Sequence, residues 1–105
     1  MQAKAEPKTN PDFELRAMGW LQVRSQDFVP VAIYVGVGVF GQPGQGLLYG
    51  PPDVLYRAYN RGHAILKVAG IKFRAKIGGY FSESSWVHFE SRHLFRALAR
   101  SMQGK

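Results

Sequence analysis

The side chains most suited to chemistry in this sequence are cations, and four of them lie close together: Lys67, Lys72, Arg74 and Lys76. They flank Ala69-Gly70, a dipeptide compatible with a two-residue hairpin turn. If the chain reverses there, Lys67 faces Lys72, Ile65 faces Arg74 and His63 faces Lys76. The same register places Val68 against Ile71, Leu66 against Phe73 and Ala64 against Ala75, all apolar and all on the other face. Turn chemistry and hydrophobic alternation thus agree on one pairing. Opposed lysines repel by a few tenths of a kcal/mol in solvent. Such a face suits a partner that supplies counter-charge, and phosphates do so with release of condensed counterions. The plainer reading is a solvated sheet face whose lysines discourage aggregation.

A second set of cations, Arg92, Arg96 and Arg100, repeats at i, i+4, i+8 and forms one stripe of a helix. The stripe suits a phosphate backbone, and it equally suits ordinary helix surface. Among the aromatic residues, Trp20, Tyr80 and Trp86 are the candidates for stacking on bases beside these cations. Tyr56, Tyr59 and Phe81 also accompany the charge, and most of these rings fit core or half-buried packing more readily than stacking.

Other chemistries find less support. With no cysteine, disulfide frameworks, zinc ribbons, iron–sulfur clusters and thiol catalysis are excluded. The histidines are His63, His88 and His93; Glu90 and His93 have i, i+3 spacing, but no third ligand is evident, so no metal and no cofactor is expected. Gly36-Val37-Gly38-Val39-Phe40-Gly41 matches G-x-G-x-x-G. It is followed by Gln42-Pro43-Gly44 rather than the helix that would hold a pyrophosphate, so strand curvature and close packing explain it better. No nucleophile elbow is present. The catalytic alternative is a metal-free nuclease using His63 or His88 with arginine and tyrosine; the expectation is a protein that is not an enzyme.

The elements that would position these residues read clearly in most of the chain. Met1 to Pro11 is polar and carries two prolines, so residues 1–11 are expected as a flexible tail, and residues 12–105 as a single domain. Phe13, Leu15, Ala17, Gly19, Leu21 and Val23 fall on one face, with Glu14, Arg16, Met18, Trp20, Gln22 and Arg24 on the other. Beyond a Ser25-Gln26-Asp27 turn, Val29, Val31, Ile33, Val35, Val37 and Val39 put a β-branched residue at every second position. The two runs predict a long antiparallel hairpin. Gly41 to Pro52 is a loop by composition, and Pro52 to Arg61 is a helix capped by Gly62. The cationic hairpin follows, ended by Gly78-Gly79, then a turn at Ser82 to Ser85 and a short strand from Trp86 to Phe89. An amphipathic helix from about Ser91 to Met102 closes the order, with Leu94, Phe95, Leu98 and Met102 in one arc and Leu98 at its centre. The fold class is α+β: a twisted antiparallel sheet, open or curled toward a barrel, in ββαββ(β)α order.

The net charge of +7 is unevenly placed. In residues 1–50 the cations Lys4, Lys8, Arg16 and Arg24 are balanced by Glu6, Asp12, Glu14 and Asp27, so the whole excess lies in residues 51–105. The longest apolar run, Phe28 to Phe40, is broken by Pro30, Gly36 and Gly38 and is too short to span a membrane; Met1 to Lys8 has no hydrophobic core and does not read as a signal peptide. The function these features point to is a small basic cytoplasmic binding protein. Nucleic acid, DNA or RNA, is the expected partner, held by the sheet face and the C-terminal helix. The alternative is a protein–protein module docking on an acidic partner surface, and homo-oligomerisation stays open.

Overall fold

The computed structural model describes residues 13–36, 45–80 and 86–103. Strand β1 (Phe13–Gln22) pairs antiparallel with β2 (Val29–Gly36), running from Leu21 opposite Val29 to Phe13 opposite Gly36. The alternation of both segments puts Leu21, Val31, Ile33 and Val35 in the core. It does not hold to the start of β1. The register shifts between Leu15 and Ala17, so the residue between them, Arg16, forms a bulge and reverses the facing of everything before it. Leu15, expected on the buried face, is 53% exposed, and Phe13 packs in a separate cluster with Leu47 and Trp86.

A further correction concerns the segment expected to be a loop from Gly41 to Pro52. Within it, Gln45–Tyr49 forms strand β3. Its glycine and proline surroundings conceal Leu47 and Leu48, which are both buried. Gly46 has a packing role here: a Cβ at this position would run into the Phe89 ring. β3 pairs with β2 on one side and with β6 (Trp86–Glu90) on the other. β4 (His63–Val68) and β5 (Ile71–Tyr80) form the cationic hairpin; β5 pairs with β6, and β4 returns to β1 through Trp20–Lys67, Leu21–Leu66 and Gln22–Ile65. The sheet therefore closes as a six-stranded antiparallel barrel, β1-β2-β3-β6-β5-β4, rather than remaining open. Closure rests on those three β1–β4 pairs, and the rest of β1 pairs with β2 alone among the described residues. Gly78-Gly79 does not end β5 as expected. The register with β6 shifts between Gly78 and Tyr80, with Gly79 at φ +81°, where a Cβ would lie 2.8 Å from His88 Cδ2.

Two helices complete the core. α1 (Pro52–Arg61) has proline in its first turn and ends on Gly62 at φ 85°, whose N–H donates to the carbonyls of Ala58 and Tyr59. It lies against β4, β5 and β6 and buries Val54, Leu55 and Ala58 among the inward side chains of the barrel. α2 (Arg92–Gln103) packs on β5 and β4 through Leu94, which is fully buried, with Leu98 partly buried beside the core. Phe95 remains half exposed beneath the Arg16 guanidinium, 5.7 Å from its ring centroid. Among the described residues no helix is long and apolar enough to cross a membrane. The expected tail at residues 1–11, the strand residues Val37 to Val39, Phe40 and Gly41 of the glycine motif and the Ser82 to Ser85 turn lie outside the described residues.

The β4–β5 turn carries strain that can be relieved. Ala69 and Gly70 both have positive φ, 53° and 79°, as a type I′ turn requires. Alanine adopts this region at a cost of about 1 kcal/mol. Ala69→Asn, which installs the preferred Asn-Gly pair, should therefore raise unfolding free energy by roughly 0.5–1 kcal/mol in urea titration.

Candidate functional site

Because side chains alternate across a strand, the β4–β5 register brings the cations to the outside of the barrel. Lys67 stands opposite Lys72, Ile65 opposite Arg74 and His63 opposite Lys76, while Ala64, Leu66, Val68, Ala75 and Ile77 turn into the core. Lys72, Arg74 and Lys76 are exposed and Lys67 is half-buried. Along β5 successive outward cations are about 6.7 Å apart, and across the hairpin the strands are about 4.8 Å apart.

One residue of this face was not singled out by the sequence. Phe28, just before β2, places its ring under both opposed lysines, 4.7 Å from Lys67 Nζ and 5.9 Å from Lys72 Nζ. The attraction of an ammonium to a ring face is worth about 0.5–1 kcal/mol at exposed sites. That is enough to offset the repulsion between two opposed lysines of a few tenths of a kcal/mol. The ring thereby holds both ammonium groups over one spot on the barrel. No periodic signal marks Phe28, because its two partners lie far along the chain and meet it only through barrel closure.

Trp20 extends the face. It pairs with Lys67 across β1–β4 and is 46% exposed, so one row across the barrel reads Trp20, Lys67, Lys72. None of the outward positions paired here, Trp20, Gln22, His63, Ile65, Lys67, Lys72, Arg74 and Lys76, is a carboxylate. Two of the described acids are engaged elsewhere: Asp53 with Arg57 at 3.2 Å and Glu90 with Arg92 at 2.9 Å.

The remaining candidates divide. Trp86 is only 5% exposed, with its ring centroid 5.1 Å from Tyr34 and 4.8 Å from Tyr49, so it is a packing residue and offers no open stacking surface. Tyr80 belongs to β5, and its side chain lies outside the described residues. Of the arginine stripe, Arg92 is bound to Glu90, Arg96 is exposed, and the Arg100 side chain lies outside the described residues. Among the described residues no three His, Asp or Glu side chains gather as a metal site.

His88 faces outward on β6, its ring 6.4 Å from that of Phe13. Burial holds its pKa below the ordinary 6.5, and a hydrogen bond with the Gly46 backbone opposes that shift without cancelling it. The unfolded chain takes up this proton near pH 6.5 and the folded chain only at lower pH. The His88 contribution to stability is therefore complete above pH 6.5 and is lost as pH falls through the folded value. Stability of the wild type should fall from pH 7 to pH 5 more steeply than that of His88→Gln, as read from urea midpoints at both pH values.

No known family matches the chain, and no curated protein or solved structure is similar to it.

Proposed function

We propose that this barrel binds nucleic acid through phosphate contacts on the outer face of β4 and β5, without catalysis and in the cytoplasm. The observation that carries the reading is the set Lys67, Lys72, Arg74 and Lys76, held on one face with no carboxylate at any of the paired outward positions. Three of the four are exposed, so their charges are available to a ligand at little desolvation cost. The rigid hairpin presents them at intervals fixed by the pleat, so little side-chain and no backbone ordering is needed on binding. A net charge of +7 adds long-range attraction for a polyanion and a fast encounter at low salt. Arg96 of α2 is a further contact only where the ligand is long enough to leave the hairpin.

The second reading, docking on an acidic protein surface, draws on the same cations and on the exposed apolar side chains Leu15 and Met18, which a protein interface would cover. Salt dependence separates the two. Three or four phosphate contacts give a log–log slope of affinity against salt of about −2 to −4 for oligonucleotides of unrelated sequence. A protein-docking module gives no measurable affinity for those oligonucleotides at the same low salt.

A further inference from the structure

We infer that the β1–β4–β5 face selects single-stranded over double-stranded nucleic acid, with Trp20 as the platform on which an unpaired base stacks. The inference rests on the phosphate-binding reading above and adds to it the strandedness of the ligand. Trp20 is the one tryptophan of the two that is open, and it lies on the row of Lys67 and Lys72. It stands two strand spacings from Lys72, about 10 Å across the barrel surface. Lys67, between them, is drawn toward the Phe28 ring at 4.7 Å. For a nucleic-acid ligand, an aromatic face beside a line of cations is used where bases are free to leave their neighbours. In a duplex both faces of every base are covered by the next pairs, and only the edges are presented in the grooves.

The curvature of the surface acts in the same direction. A six-stranded barrel turns its outer face away on both sides of the β4–β5 hairpin, so a straight duplex touches it along a narrow line. A flexible single strand can follow β5 with its phosphates and turn a base back over β1. The ligand class is thus unpaired DNA or RNA of no fixed sequence, since every base has a face to stack.

The test uses the full chain, an oligo(dT) of about 15 nucleotides and a duplex of the same length, both at low salt, with intrinsic tryptophan fluorescence and competition binding as readouts. The expected result is tighter binding of oligo(dT) than of duplex, with quenching of wild-type fluorescence. Trp20→Leu should lose the quenching, because buried Trp86 then remains as the emitter, and should lose roughly five- to a hundredfold in affinity for oligo(dT) with little change for duplex. Trp20→Phe should restore part of the affinity without the signal. Duplex bound as tightly as oligo(dT), or oligo(dT) bound with unchanged fluorescence, overturns the inference and leaves the phosphate reading standing if the salt slope is steep. Binding of neither ligand overturns both.

Discussion

Leu94→Ala is expected to be among the most damaging single truncations in this protein, lowering unfolding free energy by about 3 kcal/mol, within the range for fully buried leucines. Leu94 has no solvent exposure and joins the same core as Leu55 of α1 and Ala75 and Ile77 of β5. Its removal leaves a void beneath α2 that close-packed neighbours on β4 and β5 fill only in part. Leu98→Ala should cost less, about 1–2 kcal/mol, because Leu98 is only partly buried at the margin of that core. The order of the two is informative. Hydrophobic periodicity centres the apolar arc of α2 on Leu98, whereas docking on β5 and β4 turns the helix toward Leu94 and leaves Phe95 half exposed against Arg16. Urea denaturation of both variants measures the difference. Equal losses would place the docking axis where periodicity puts it.

The legible parts of the fold are those specified by neighbours in the chain. Alternation over Phe13 to Val35 marks a strand pair, and the apolar faces flanking Ala69-Gly70 mark both the turn and its register. α1 is announced by its prolines and by Gly62. What escapes is what depends on distant partners. The bulge at Arg16 has no local signature, yet it transfers Phe13 and Leu15 from one face to the other. β3 lies inside a stretch whose glycine and proline content reads as loop; Gly46 is there because Phe89 needs the space, a requirement invisible until β6 is placed beside it. Barrel closure through Trp20–Lys67 and its two neighbouring pairs is equally non-local.

The site divides along the same line. The four cations are on one hairpin, so spacing alone assembles them. Phe28, just before β2, and Trp20 of β1 join only when the barrel closes, so neither is marked as part of the site by local spacing. Trp86 and Trp20 are indistinguishable by composition; burial between Tyr34 and Tyr49 separates them.

The larger functional effect is expected from the double substitution Lys72→Gln, Lys76→Gln. Both side chains are exposed and neither touches the inward face of β5, so the barrel should stay folded. Stability should change by less than about 1 kcal/mol, since the lost Lys72–Phe28 attraction and the relieved Lys67–Lys72 repulsion act in opposite directions. Affinity for oligonucleotides of any sequence should fall on the order of tenfold to a hundredfold at low salt, because each neutralised phosphate contributes separately to counterion release. The central claim is tested most directly by the log–log slope of oligonucleotide affinity against salt, measured for the wild type and for this double variant under the same conditions. A slope shallower by about 2 in the variant is the predicted result. An unchanged slope with unchanged affinity would contradict the claim and remove the β4–β5 face as the site of phosphate contact.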